Sequence, residues 1–260
     1  MQLICAATAA SPSAENEDRF RSGRNWALVL DGAGRYPGHT GGCIHPVTWI
    51  VDRLALHLAE QLADEASGSL QTIADRAIRG TAADHGPACD LTDPLSPGAT
   101  CALIRERRGR LEWFVLGDCA VVLACSDGRH IVVSDDRLER LPSAPVVDAE
   151  VRTYDPAYVA QVRNQPGGFW VLSVVPEAAA QGLIGSLPAA EVARVALCSD
   201  GVTRLTERYG WQWADVFALA ESEGPEAVIA GVREAETDDP DPRRWRGKLH
   251  DDATIVVVAP

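Results

Sequence analysis

The stretch ATCALIRERRGRLEWFVLGDCAVVLACSDGRHIVVS, residues 99–134, contains four apolar, β-branched runs separated by short polar turns. Such runs are typical of β-strands. Gly109 and the pair Asp127-Gly128 tolerate the positive φ angles that tight hairpin turns require. Consecutive hairpins predict an antiparallel sheet and argue against a parallel βαβ arrangement. The four predicted strands are 99–105, 111–116, 119–125 and 129–134.

The same criteria predict four more strands outside this stretch, at 2–7, 25–31, 193–199 and 253–259. Apolar residues at three- and four-residue spacing predict a helix over 47–65, and Ser69 is expected to cap a second helix that runs to about Ala83. Two further helices are predicted at 206–221 and 225–236, the second opening with a proline at its first position. Strands and helices in this order predict an α+β fold in which helices stack on sheets.

The chain has 260 residues, of which 46% are hydrophobic, enough for a substantial core without disulfides. We expect one domain over residues 1–260. Within it, the proline-rich stretch 135–192 is expected to form loops and short helices. The stretch 237–250 is expected to be a charged loop that leads into the last strand.

The charge balance restricts the partners that the protein can bind. Against 37 acidic residues there are 24 basic ones, which gives a formal net charge of −13. The electric field of this net negative charge repels the phosphates of nucleic acids and anionic lipids, so we expect neither nucleic-acid nor membrane binding. No run approaches the roughly 18 apolar residues of a membrane-spanning helix. The apolar N-terminus lacks the basic region of a signal peptide, so a short first strand and a cytoplasmic location are expected.

The seven cysteines, at positions 5, 43, 89, 101, 119, 125 and 198, form no C-x-x-C pair. Most lie in apolar runs, which favours reduced and buried thiols over a disulfide scaffold or a zinc site. The glycine-rich segment 32–46 lacks the Gly-Lys-Ser/Thr ending of a P-loop. It is therefore expected to be a flexible loop.

Acidic residues stand at the ends of several predicted strands, namely Asp31, Asp118, Asp200 and Asp251. Taken singly, an Asp-Gly pair after a strand is most often a turn. If the four converge at one sheet edge, their carboxylates repel one another unless cations or protons intervene. Carboxylates without nearby histidine or thiolate suit hard ions such as Mg²⁺ and Mn²⁺.

These acids belong to a longer series of short motifs. The series resembles the type 2C, or PPM-type, protein serine/threonine phosphatases of bacteria over essentially the whole chain. No single motif is specific, but their order and the predicted strand beside most of them make a strong combined signal. In chain order they are Asn16-Glu17-Asp18-Arg19, Asp31-Gly32-Ala33-Gly34, Gly98-Ala99-Thr100, Leu116-Gly117-Asp118-Cys119, Ser134-Asp135-Asp136, Cys198-Ser199-Asp200-Gly201 and Asp251-Asp252-Ala253-Thr254.

The resemblance implies a centre with two Mg²⁺ or Mn²⁺ ions and, in bacterial members, a third and weaker site. Asp31 would bridge two ions, with Asp200 and Asp251 completing the first site, and these three residues are the catalytic candidates. Glu17 would help to hold the second ion. The Gly32 carbonyl would contribute through water, and Asp118 matches the position that joins the third site.

The resemblance also implies a four-layer αββα sandwich, with two mainly antiparallel sheets packed face to face between helices. The implied reaction is hydrolysis of phosphoserine and phosphothreonine on proteins by a metal-activated water, without a covalent phosphoenzyme. A phosphorylated protein is therefore the expected partner. The sequence carries no indication of oligomeric state.

Two positions depart from the family pattern. Ser13 stands where many members have an arginine that grips the substrate phosphate, and serine cannot supply the bidentate contact of a guanidinium. Ala33 stands where many eukaryotic members have a histidine. Two alternatives therefore remain open: a phosphatase-like regulatory domain that binds metal with weak or no turnover, and a hydrolase of other phosphoesters.

Overall fold

The computed structural model describes residues 1–12, 14–34, 36, 38–64, 66, 68–141, 154–245 and 248–260. Ten strands lie in this part of the chain. In chain order they are β1 (Gln2–Ala9), β2 (Arg19–Ser22), β3 (Trp26–Ala33), β4 (Gly98–Arg107), β5 (Arg110–Leu116), β6 (Ala120–Cys125), β7 (His130–Ser134), β8 (Leu183–Pro188), β9 (Val192–Cys198) and β10 (Ala253–Ala259).

The strands form two five-stranded sheets, and every pair of neighbouring strands within them is antiparallel. The first sheet has the order β1-β10-β9-β6-β7, and the second has the order β2-β3-β4-β5-β8. The N- and C-terminal strands pair with each other in the first sheet.

The helices lie on the outer faces and in the connections. They are α1 (Val47–Ala63), α2 (Leu70–Asp84), α3 (Arg137–Arg140), α4 (Pro156–Val162), α5 (Asp200–Glu207), α6 (Trp213–Ser222) and α7 (Pro225–Asp238). Short 3-10 segments occur at Pro176–Gln181, Ala189–Glu191 and Pro242–Arg244. None of the helices in the described ranges is long and apolar enough to cross a membrane.

Three apolar clusters hold the layers together. The inner faces of the two sheets meet in a core of β-branched and leucine side chains, including Val29, Val121 and Val256. The cluster that contains Leu54 attaches α1 and α2 to the second sheet. The cluster that contains Val232 attaches α5, α6 and α7 to the first sheet. This arrangement confirms the four-layer αββα sandwich.

The register of the strands brings distant parts of the chain to one edge. Cys198, at the end of β9, pairs with Ala120 at the start of β6 and with Ile255 near the start of β10. Residues just before β6, just after β9 and just before β10 are therefore neighbours. In the second sheet, which faces the first, Asp31 near the end of β3 pairs with Thr100 of β4.

All eight predicted strands are present, but the expected run of consecutive hairpins is only partly correct. β4 pairs with β5 and β6 pairs with β7, whereas β5 and β6 lie in different sheets. The connection between them passes through Gly117, whose φ of 76° lets the chain cross from one sheet to the other. The strands β2 and β8 were not predicted. β2 is only four residues long, and β8 lies inside the stretch expected to be loops.

The two helices predicted in the first half are confirmed, and Ser69 Oγ accepts a hydrogen bond from the amide of Thr72 at 3.2 Å. The prediction of one helix over 206–221 is wrong. That region contains two separate helices, the end of α5 and most of α6. Asp200 and Gly201, which fit a turn in the sequence, form the start of α5. Of the stretch expected to be loop-rich, residues 142–153 lie outside the described residues.

Candidate metal centre

Asp31, Asp118, Asp200 and Asp251 converge at the sheet edge described above. Asp31 interacts electrostatically with each of the other three. Each comes from a different part of the chain: β3, the β5–β6 connection, the start of α5 and the segment before β10. The structure therefore brings together the four acids that stand at strand ends in the sequence.

Burial and mutual repulsion disfavour the charged forms of these acids. Burial raises the pKa of Asp31 well above its usual value, and the neighbouring acids raise it further. Burial, followed by the charge of Asp200, raises the pKa of Asp118 to about 7. The pKa of Asp251 is also raised, first by burial and then by Asp200. Cations placed between these carboxylates would stabilise them.

Several carboxylate oxygens have no hydrogen-bond partner within the described part of the chain. They are Asp18 Oδ1, Asp118 Oδ1 and Asp200 Oδ1, all buried. A buried carboxylate oxygen without a donor is energetically costly unless an ion coordinates it. The donor set at this edge consists of carboxylates, which matches the preference of Mg²⁺ and Mn²⁺ for oxygen ligands. The residues present therefore fit a divalent-metal centre.

Two cationic side chains contact the same cluster. Arg204 Nη2 lies 3.0 Å from Asp251 Oδ2 and 3.5 Å from Asp200 Oδ2. Lys248 Nζ lies 2.6 Å from Asp251 Oδ1. Burial acts to raise the pKa of Asp200, but Arg204, Lys248 and Arg208 outweigh it and hold that pKa below its usual value. The protein thus neutralises part of the cluster with its own cations.

Asp18 is a further acidic residue of the site that the sequence analysis quoted without assigning it a role. Ser199 Oγ donates a hydrogen bond to Asp18 Oδ2 at 2.7 Å. Burial raises the pKa of Asp18 to about 7, although hydrogen bonds from Thr254 and Ser199 act to lower it. Its position directly after Glu17 was the only signal in the sequence.

Glu17 and Gly32 are in direct contact. A Cβ added to Gly32 would lie 2.7 Å from Glu17 Cβ, so the approach of the two segments requires glycine. Glu17 is buried, and its amide donates to Asp252 Oδ2 at 2.7 Å. Asp252 Oδ1 also accepts from the amide of Ser11 at 2.7 Å. Asp252 therefore fixes the backbone that carries Glu17.

Arg19, which is close in sequence to the missing arginine at position 13, forms several hydrogen bonds of its own. Arg19 donates from Nη1 to the carbonyls of Asn16 and Asp18 and from Nε to Asp52, at 2.9, 2.8 and 2.7 Å. These bonds hold the guanidinium within the loop that carries Glu17. Ser13 itself and Arg35 lie outside the described residues.

A second group of possible metal ligands lies away from this edge. Cys43, His45, His85 and Cys89 each offer one ligand atom, and these atoms all lie within 4.8 Å of one another. The sequence analysis, which favoured reduced and buried thiols over a zinc site, did not identify this grouping. The expectation considered ligands that are close in sequence, whereas these come from two segments about 40 residues apart.

Comparisons with known proteins agree with the fold and with the motif series. The protein phosphatase 2C family matches residues 8–232. No curated protein sequence matches the chain with significance. Among solved structures, the Staphylococcus aureus serine/threonine phosphatase Stp1 superposes with a TM-score of 0.62 at 12% identity, covering 100% of this chain and 95% of that one.

Two mycobacterial structures superpose almost as well. The Mycobacterium tuberculosis serine/threonine phosphatase PstP/Ppp gives a TM-score of 0.60 at 19% identity, covering 99% of this chain and 98% of that one. The Mycobacterium smegmatis PPM phosphatase MsPP, solved with cacodylate, gives 0.56 at 15% identity, covering 99% and 98%. At these identities the structures establish the fold, whereas the family match extends over most of the sequence. The chain belongs to the protein phosphatase 2C family.

Proposed function

We propose that residues 1–260 form one phosphatase domain that hydrolyses phosphoserine and phosphothreonine on proteins with the help of Mg²⁺ or Mn²⁺. The observation that carries the proposal is the convergence of Asp31, Asp118, Asp200 and Asp251, together with buried oxygens of Asp118 and Asp200 that lack partners in the described chain. The fold and the family support the same reaction class. A structure of the PstP catalytic domain, 20% identical, contains two manganese ions, which supports two ions here.

In this proposal Asp31, Asp200 and Asp251 would hold the first ion, and Asp31 would also contribute to the second. Glu17 and the Gly32 carbonyl would help to hold the second ion. Asp118 belongs to a third and weaker site. When bound, such ions would lower the pKa of a water molecule and neutralise the phosphoryl oxygens of the substrate.

The chain itself contributes orientation and charge. Asp252 fixes the backbone of Glu17 through the hydrogen bond from the Glu17 amide at 2.7 Å. Ser199 holds Asp18 beside the cluster at 2.7 Å. Lys248 adds an ammonium group to the cluster, with Nζ 2.6 Å from Asp251 Oδ1. There it supplies positive charge for a phosphate, in a site where Ser13 replaces the usual arginine.

The direct test measures hydrolysis of p-nitrophenyl phosphate and of a phosphothreonine peptide with Mn²⁺, and repeats both assays with EDTA. We expect turnover of both substrates that is lost on chelation. Rates in Mn²⁺ that do not exceed the chelated control would refute the proposal. Activity on small phosphoesters but not on the phosphopeptide would instead indicate a hydrolase of another phosphoester.

A second candidate function is a phosphatase-like regulatory domain with weak or no turnover. The contacts of Arg204 and Lys248 with Asp251, at 3.0 and 2.6 Å, favour it, because these cations compete with metal for the same carboxylate. Titration calorimetry with Mn²⁺ separates the two functions when it is combined with the assay. Metal binding without turnover would identify the regulatory domain.

A further inference from the structure

The four-residue group Cys43, His45, His85 and Cys89 lies outside the carboxylate cluster and plays no part in the proposed hydrolysis. Cys43 and His45 belong to the segment between β3 and α1, and His85 and Cys89 belong to the segment between α2 and β4. Cys43 is buried and the other three are half-buried. All seven cysteines are free thiols, so Cys43 and Cys89 are not joined by a disulfide.

Three distances between the ligand atoms match those of a tetrahedral site. Cys43 Sγ and Cys89 Sγ are 3.6 Å apart. His45 Nδ1 lies 3.5 Å from Cys43 Sγ and 3.4 Å from Cys89 Sγ. A zinc ion bonded to sulfur at about 2.3 Å and to nitrogen at about 2.1 Å would separate two sulfurs by about 3.8 Å, and a sulfur from a nitrogen by about 3.6 Å.

The hydrogen bonds around the group orient its ligands. His85 Nδ1 lies 2.8 Å from the carbonyl oxygen of Thr81 and donates to it, which leaves Nε2 of the same ring free to coordinate. Such a carbonyl partner is typical of metal-bound histidine because it fixes the tautomer and the ring orientation. The amide of His45 lies 3.4 Å from Cys43 Sγ and donates to it, and this contact stabilises a thiolate.

Aromatic packing holds the two imidazoles in place. The ring of His45 stacks on Trp49 with centroids 3.8 Å apart and an interplanar angle of 13°. Trp49 also meets His85 edge-on, with centroids 4.8 Å apart. Both imidazole rings are therefore restrained by α1, which contains Trp49, before any ion binds. This restraint reduces the entropy lost on coordination.

The backbone brings the two segments together independently of the side chains. The amide of Asp90 donates to the carbonyl of Gly42 at 2.7 Å. Gly41 has a φ of 62°, and a Cβ on it would lie 2.4 Å from the Leu95 carbonyl oxygen. The close approach therefore requires glycine two residues before the first cysteine. Gly41 and Gly42 therefore permit close backbone contact with the α2–β4 segment, within a stretch that the sequence analysis expected to be a flexible loop.

We propose that Cys43, His45, His85 and Cys89 bind one structural zinc ion that ties the β3–α1 segment to the α2–β4 segment. Four protein ligands close the coordination sphere, so the ion is structural and not catalytic. The β3–α1 segment follows the strand that carries Asp31 and Gly32, and the α2–β4 segment leads to Thr100, which pairs with Asp31. The zinc ion thus fixes the loops that follow and precede the strands carrying the proposed phosphatase centre.

The first test uses the full-length wild-type protein, purified under reducing conditions without chelator. Elemental analysis is expected to find about one zinc per chain. Reconstitution of the reduced apoprotein with Co²⁺ is expected to give thiolate-to-cobalt charge-transfer absorption, which a carboxylate site cannot produce. Absence of both zinc and charge-transfer absorption would overturn the proposal. A Cys43–Cys89 disulfide in the freshly purified reduced protein would also overturn it.

Substitution of individual ligands tests which side chains bind the zinc ion. Cys89→Ser and His85→Gln should lose the bound zinc and melt at a lower temperature than the wild type. Cys5→Ser is the matched control, since Cys5 is half-buried and donates from Sγ to the carbonyl of Ala220 far from this site. Zinc content equal to the wild type in both ligand variants would contradict the assignment.

The zinc readout is independent of the proposed phosphatase activity. Asp251→Asn should keep its zinc and its cobalt charge-transfer band, because Asp251 belongs to the carboxylate cluster. If phosphatase activity is absent but zinc and the cobalt band are present, only the proposed function fails. If activity is present without zinc, only this inference fails.

Discussion

Lys248 Nζ lies 2.6 Å from Asp251 Oδ1 and therefore places an ammonium group within the carboxylate cluster. Burial acts to lower the pKa of Lys248, but Asp251, Asp31 and Asp200 outweigh burial and raise it. Lys248 is the only lysine in the chain. A fixed positive charge in direct contact with a proposed ligand competes with any divalent cation for that carboxylate.

Replacing Lys248 with glutamine should increase Mn²⁺ affinity by about tenfold, since metal binding then no longer breaks an ion pair. Titration calorimetry of both proteins would measure the change. Arg194→Gln is the matched control, because Arg194 forms a partly exposed pair with Glu221 at 2.7 Å, away from the cluster. Unchanged or weaker Mn²⁺ binding in Lys248→Gln would show that the ammonium does not compete with the metal.

Asp31→Asn should abolish Mn²⁺-dependent turnover while leaving the melting temperature of the metal-free protein unchanged or higher. The amide removes a charge from a carboxyl group whose pKa is raised by burial and then by its neighbouring acids. Hydrolysis of p-nitrophenyl phosphate and differential scanning calorimetry in EDTA would measure the two effects. Turnover retained in this variant would rule out Asp31 as a ligand.

The stability gain of Asp31→Asn should depend on pH. Because folding raises the pKa of Asp31, ionisation of this group destabilises the native state as pH rises through the folded value. The variant should therefore differ little from the wild type at about pH 4 and gain most at about pH 8. Glu234→Gln, a change of an exposed acid on α7, is the control and should show no such trend.

Arg204→Met should destabilise the protein by about 3–5 kcal/mol, because it removes a buried cationic partner from both Glu236 and Asp251. The side chain of Arg204 is 1% exposed, and its guanidinium lies 2.9 Å from Glu236 and 3.0 Å from Asp251. Urea unfolding would measure the loss, with Arg194→Met as the surface control. A loss below about 1 kcal/mol would mean that the pair contributes no more than an exposed salt bridge.

Asp252→Asn should cost about 1–3 kcal/mol, because the amide group can accept only one of the two backbone hydrogen bonds. Both bonds, from Ser11 and Glu17, are 2.7 Å long. Loosening the Glu17 backbone should also weaken Mn²⁺ binding, which titration calorimetry would detect. Asp127→Asn, which changes an exposed turn carboxylate, is the control. If Mn²⁺ affinity is unchanged, Asp252 does not position Glu17.

The strands that sequence analysis located are those with continuous apolar or β-branched runs. β3 and β10 are almost fully buried, so every position along them favours an apolar side chain. β2 has the sequence RFRS and β8 has the sequence LIGSLP, and neither carries such a run. Among the described residues, both are outermost strands of the second sheet and pair with a neighbour on one side only, so the demand for apolar residues is weaker.

The start of α5 was not predicted, because the sequence Asp200-Gly201 is compatible with both a turn and the first residues of a helix. Asp200-Gly201 after a strand fits a turn, but here it opens α5, and a Cβ on Gly201 would lie 1.9 Å from the Asp252 carbonyl oxygen. Glycine at this position permits the helix to approach the segment before β10. A contact between residues 51 positions apart cannot be inferred from the local pattern.

The sequence by itself determined the layered α+β class, most of the strands and the acids at strand ends, because periodicity and turn chemistry are local properties. Only the tertiary structure decided which side chains meet. The sheet register brought Asp31, Asp118, Asp200 and Asp251 together and added Asp18 to them. Lys248 joined the same cluster through a loop, and Cys43, His45, His85 and Cys89 met across two segments. Such groupings depend on how elements distant in sequence pack together, and the spacing of residues within a short segment does not determine that packing.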